Sequence, residues 1–122
     1  MLWRMDDLVA FMSARLDEDR AVAREAAGLT ECWVAEEPAI GVVLVDGEPL
    51  IEGHIAGLTA HIARHDPARV LHEVAAKRAI IRWHGGLDAD YDYGTFPDDI
   101  IAALAAVYSD HPDYREEWAP VV

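Results

Sequence analysis

His61 and His65 stand four residues apart, a spacing that places two imidazoles on one face of a helix, and Asp66 follows directly. Zinc sites use such histidine pairs, so His61, His65 and Asp66 define one candidate chemistry, a small metal-dependent hydrolase. A further ligand would have to come from His54, His72, His84 or His111. Two local features oppose a metal role. Pro67 disfavours helical geometry at Asp66, which ends the helix near His65. Aspartate before proline is also the ordinary start of a helix, its carboxylate capping free N–H groups. The structural alternative gives the histidines bonds to backbone carbonyls or acids at a helix junction.

The second candidate is a surface rather than a reaction. Residues 87–96 alternate Asp88, Asp90 and Asp92 with Tyr91, Tyr93 and Phe96, and Asp98 and Asp99 follow. Tyrosine brings contact area at small entropic cost, so the segment reads as a binding surface formed by Asp88, Asp90, Tyr91, Asp92, Tyr93, Phe96, Asp98 and Asp99, or as a lid on the core. The aspartate spacing matches the start of an EF-hand loop, but Tyr93 stands where such a loop needs glycine and Asp99 where it needs glutamate. Other signatures are missing. No glycine-rich loop is followed by Gly-Lys-Ser/Thr, and Ser13 and Ser109 lie outside any nucleophile elbow. Cys32 is the one cysteine, so no internal disulfide can form, and its place beside Trp33 predicts an inert buried thiol in a strand. The acid pair Glu116-Glu117 reads as solvated surface.

Charge narrows the partners. The net charge is −13, from 23 acids and 10 bases, and it is uneven. Residues 31–57 and 85–122 are strongly acidic, whereas residues 58–84 hold Arg64, Arg69, Lys77, Arg78 and Arg82 against only Asp66 and Glu73. A surface of this kind repels nucleic acid and anionic membrane, so direct binding to either is not expected. No run approaches the roughly 18 apolar residues of a spanning helix, and the first residues lack a signal-peptide core, so a cytoplasmic setting is expected. No motif calls for a cofactor.

The elements that must position these residues follow from periodicity. At 122 residues, 52% apolar, the chain suits a single domain over 1–122. Asp6 or Asp7 caps a helix with Met5, Leu8, Val9, Met12 and Leu16 in one stripe, ending at Ala27 with Gly28 as left-handed cap. Residues 30–52 read as a three-stranded antiparallel β-meander with a turn at Asp46-Gly47. The apolar run Val42 to Val45 implies a central strand, covered on both faces or paired with a partner chain as a homodimer. Leu58 to Arg64 is a short helix. Asp66-Pro67 opens a longer one, with Val70, Leu71, Val74, Ile81 and Trp83 inward, a Glu73–Lys77 pair, and a stop at Gly85-Gly86. Thr95 and Asp98 form a capping box for a helix carrying Ile100, Ile101, Leu104, Val107 and Tyr108. A last helical turn runs from Pro112 to Trp118. The fold expected is therefore α+β: an N-terminal helix, a three-stranded meander, then three or four helices packed on it. Arg64 and Arg69 are expected to pair with Asp110, Asp113, Glu116 and Glu117.

Three strings carry a family resemblance. They are His61-Ile62-Ala63-Arg64-His65-Asp66-Pro67-Ala68-Arg69-Val70-Leu71, then Tyr108-Ser109-Asp110-His111-Pro112-Asp113-Tyr114-Arg115-Glu116-Glu117-Trp118, and the opening Asp7-Leu8-Val9-Ala10-Phe11 with Arg15-Leu16-Asp17-Glu18-Asp19. Together they resemble an uncharacterised family of small proteins from actinobacteria and their phages, a domain of unknown function. The resemblance implies a cytoplasmic host or phage accessory protein and brings no activity. Combined with the acidity, it predicts a non-enzymatic protein-binding or inhibitory module for a basic partner, with an anti-defence or DNA-mimic role. The alternatives are the metal-dependent hydrolase on His61, His65 and Asp66, and a virion structural component.

Overall fold

A computed structural model describes residues 4–28, 32–36, 41–45, 48–53 and 57–120. Helices dominate it: α1 (Met5–Ala27) has 23 residues, α2 (Leu58–Arg64) seven, α3 (Pro67–Gly85) 19 and α4 (Phe96–Ala105) ten. Short 3-10 turns follow at Ala106–Tyr108 and Glu116–Trp118. The strands β1 (Trp33–Glu36), β2 (Gly41–Val45) and β3 (Glu48–Gly53) are four to six residues long. Their backbones pair antiparallel in chain order, with a register shift at Val43/Leu44.

This corrects the expected α+β architecture. The chain is mostly helical, and a three-stranded meander carrying a layer of three or four helices is not what organises it. Among the described residues, close packing of helix on strand belongs to the short α2, and α1 and α4 supply most of the large buried side chains. Side chains are described only in β1, so the proposed burial of Val42 to Val45 and the Asp46-Gly47 turn lie outside the described residues, as does His54.

The contacts divide into two compact units, one formed by residues 1–18 and 75–122, the other by 19–74. In the first, Leu8, Phe11, Met12, Arg15 and Leu16 are buried on α1, and Ile101, Ala102 and Ala105 on α4. Steps of three and four residues put each set on one helix face. Met5 and Val9, placed in the stripe by sequence, are only half-buried, and Phe11 takes the inner position. Trp118, 2% exposed, closes this core. Its ring lies 5.1 Å from Phe11 and 5.7 Å from Tyr114, and Phe11 also meets Tyr108 and His111 edge-on. Such offset aromatic contacts add about 0.5–1.5 kcal/mol each beyond area burial.

A buried arginine ties the C-terminal turns to α1. Arg15 stacks on Phe11, donates to Glu18 at 2.9 Å and reaches His111 Nδ1 at 2.8 Å. The Asp113 backbone N–H donates to that same nitrogen at 3.0 Å. An Nδ1 accepting from two donors carries no proton, so the imidazole hydrogen sits on Nε2. The turn at 111–118 is thereby fixed without an α-helix, which corrects the helical turn expected from Pro112; only Glu116–Trp118 winds, as 3-10. Burial pushes the Tyr114 hydroxyl above its ordinary value. The folded state therefore holds this proton more firmly than the unfolded chain, and the associated stability is lost as pH rises past about 10. Ultraviolet titration of wild type against a Tyr114→Phe variant should show the missing tyrosine to be one that ionises above its ordinary value, and a missing component at the ordinary value would contradict it.

In the second unit Ala23, Ala27, Thr59, Ala63, Pro67 and Val74 are buried. Gly28, with φ 54°, closes α1 in the left-handed region as expected. Asp66 caps α3: its Oδ1 accepts from the Arg69 backbone N–H at 2.9 Å. Its Oδ2 accepts from the backbone N–H of Trp33 at 3.0 Å, so the same carboxylate anchors the start of β1.

Several local expectations are corrected. Cys32 is exposed and precedes the strand rather than lying buried in it. Trp83 is 49% exposed and Val107 70% exposed, so neither is on an inner face, and α4 gives way to a 3-10 turn before Val107. Glu73 pairs with Arg69 at 3.0 Å rather than with Lys77, whose ammonium lies over the Tyr108 ring. Arg69 is therefore committed within its own helix, to an exposed pair worth about 0.3–0.5 kcal/mol. The C-terminal acids use other cations: Asp113 approaches Arg15 at 3.9 Å, and Glu117 approaches Arg115 at 3.8 Å.

Candidate binding surface

The loop after α3 is built from local hydrogen bonds that its sequence supplies. Gly85 and Gly86 end the helix, and the N–H groups of Gly86 and Leu87 return to carbonyls of its last turn. Asp88 Oδ1 accepts from the Asp90 N–H at 3.0 Å, and Asp92 Oδ1 accepts from the Gly94 N–H at 2.8 Å. These are two successive Asx turns, the motif that aspartate favours in loops. Gly94 has φ 66°, the one backbone position in the loop that needs glycine.

Two aspartates at the start of α4 fix the far end. Asp98 Oδ1 lies 2.8 Å from His84 Nε2, linking the last turn of α3 to the first of α4. Thr95 is the N-cap residue, but its hydroxyl donates to Asp99 Oδ2 at 3.0 Å and makes no bond to a backbone N–H. The capping box expected from Thr95 and Asp98 is corrected accordingly. Asp98 and Asp99 nonetheless favour the helix electrostatically, being acids in its first turn.

What this frame presents is aromatic and acidic. Tyr91 is 64% exposed, Tyr93 39% and Phe96 68%, so the segment does not pack as a lid on the core. The two tyrosine rings lie 4.6 Å apart at 50°. Among the described residues the Asp90 carboxylate has no partner, while Asp88 and Asp92 each spend one oxygen on the turns. The structure thus gathers Asp88, Asp90, Tyr91, Asp92, Tyr93 and Phe96 in one short segment. It separates Asp98 and Asp99 from them by role, since both are engaged at the helix start.

His84 is the member that sequence reasoning missed. It anchors the surface from 14 residues away, a separation that belongs to no local motif. Its position in the last turn of a helix with a clear glycine stop was the only available signal.

The histidine pair is arranged differently from a ligand set. The His61 and His65 rings are 4.3 Å apart, but His65 Nδ1 lies 2.8 Å from the His61 backbone carbonyl, which closes the end of α2. Asp66 gives both oxygens to backbone N–H groups, so the three side chains are near in sequence without converging on one point. No cluster of three His, Cys, Asp or Glu side chains able to hold a metal is present among the described residues.

A family model matches residues 5–120, and the chain belongs to that family of unknown function, DUF6221. No curated protein and no solved structure matches. Among the described residues no helix is long and apolar enough to cross a membrane.

Proposed function

We propose that this chain is a non-enzymatic protein-binding module whose segment 88–96 receives a basic segment of another protein. The observation that carries the reading is the exposure of Tyr91, Tyr93 and Phe96 on a loop already fixed by two Asx turns and the His84–Asp98 bond. Scattered apolar side chains on a surface need no explanation, but three exposed aromatic side chains within six residues, two of them in ring contact, are a local concentration. Holding them in place before binding lowers the entropic cost of association. The surrounding aspartates and the net charge of −13 favour arginine or lysine on the partner, through charge pairing and contact with the tyrosine faces. On this reading the chain is an accessory protein of actinobacteria or their phages that occupies the basic surface of a host protein, such as a nuclease or defence factor.

The test is capture from an actinobacterial lysate with two baits, the wild-type chain and a Tyr91→Ser/Phe96→Ser variant. Both altered side chains are exposed, so the variant keeps its fold. Wild-type bait should retain a partner that salt at about 1 M releases, and the variant should not retain it. Equal capture by both baits would refute the assignment of the surface.

A further inference from the structure

A cavity of about 150 Å³ in the first unit is lined by Ser13 of α1 and by Arg78, Ile81 and Arg82 of α3. Ser13 and Asp17 are one helical turn apart on α1, as are Arg78 and Arg82 on α3. Asp17 engages one of the two guanidinium groups, accepting from Arg78 Nη2. Nothing engages the other. Among the described residues Arg82 has no ion pair and the Ser13 hydroxyl has no hydrogen bond. Arg78 also keeps a buried Nε–H without an acceptor. The lining therefore holds two cations, a hydroxyl and no carboxylate, and Asp17 offsets only one charge.

We propose that this cavity binds a tetrahedral oxyanion, phosphate in type, either free or as the terminal group of a small phosphomonoester. Arg82 and Ser13 would donate to its oxygens, and Arg78, held by Asp17, would supply the second positive charge. Guanidinium groups suit this role because their planar donors match oxyanion geometry and stay charged at all working pH values. Size selects the ligand: the cavity has room for about five waters at roughly 30 Å³ each, enough for one oxyanion. It is well below the roughly 300 Å³ at which sites for larger organic ligands begin. The overall negative charge does not forbid binding. Physiological salt screens exposed charges beyond about 8 Å, so the groups lining the cavity dominate. This inference is independent of the protein-binding surface.

Inorganic phosphate titrated into the full chain at constant ionic strength, with chloride as the balancing anion, tests it by NMR. Resonances of Ser13, Arg78 and Arg82 should shift and saturate. Arg82→Gln should weaken binding about tenfold, the loss of one charge-assisted donor pair. Arg82 has no ion pair to lose, so its variant should melt with the wild type. Arg69→Gln, in the other unit, should leave phosphate affinity unchanged. A parallel titration with glycerol 3-phosphate separates the two sources: tighter binding than phosphate assigns a phosphomonoester, and equal or weaker binding assigns the free ion. Shifts that never saturate, or an Arg82→Gln chain that binds phosphate as tightly as wild type, would overturn the site.

Discussion

Replacing Trp118 by alanine should destabilise the protein by about 3–5 kcal/mol, the range for emptying a buried aromatic site. Trp118 is 2% exposed, and its ring contacts Phe11, Tyr114 and the Arg115 guanidinium. For a chain of this length that loss lowers the thermal midpoint by about 10–20 °C, a large share of ordinary domain stability. Trp118→Phe separates volume from hydrogen bonding. The indole Nε1 is buried without an acceptor, so phenylalanine gives up packing but no bond and should cost only about 1–2 kcal/mol. Thermal melts followed by circular dichroism measure both. An alanine variant within about 1 kcal/mol of wild type would mean that the C-terminal turns do not close the first unit.

Asp66→Ala should cost about 2–3 kcal/mol. Losing the cap on Arg69 accounts for about 1 kcal/mol. The rest comes from the Trp33 N–H, whose acceptor disappears along with the tie between β1 and the start of α3. Asp66→Asn keeps one carbonyl acceptor and should recover about half of the loss. The series separates the two roles considered for this residue. A cap produces graded destabilisation with Asn intermediate, whereas a metal ligand removed from an otherwise intact frame would leave the melting temperature nearly unchanged.

The parts of the fold legible in the sequence were those with local punctuation. Gly28 after Ala27, Asp66-Pro67 before α3 and Gly85-Gly86 after it each act within one turn of chain, and α1, α2 and α3 have the bounds these residues imply. What was not legible depends on partners distant in sequence. Nothing near Arg15 signals that His111 accepts from it, yet that bond fixes the 111–118 turn without an α-helix. Trp83 was placed on the apolar side of α3 with Val70, Leu71, Val74 and Ile81 and is half exposed, because helical position rather than hydrophobicity decides burial. The α+β expectation rested on β-rich residues between 30 and 52. It gave too much weight to strands of four to six residues in a chain whose large buried side chains, among the described residues, lie mainly on α1 and α4. Thr95 looked like half of a capping box, but Asp99 captured its hydroxyl.

The segment proposed as a binding surface was legible in composition and not in construction. Alternating aspartates and aromatics marked the segment, and the Asx turns follow from aspartates placed two residues before Asp90 and Gly94. His84 as the anchor, and the hydrogen bonds of Asp98 and Asp99 at the start of α4, required three-dimensional placement. For His61, His65 and Asp66 the reverse holds: the spacing suggested a ligand set, whereas the His65 ring bonds the His61 backbone carbonyl and Asp66 caps α3.

Calorimetric titration of the captured partner into the wild-type chain and into the Tyr91→Ser/Phe96→Ser variant, each at low and high salt, measures what segment 88–96 contributes to binding. If segment 88–96 is the binding surface, wild-type affinity falls steeply with salt and the variant binds at least about tenfold more weakly at low salt. Wild type and variant binding with equal affinity, or an affinity indifferent to salt, would contradict it.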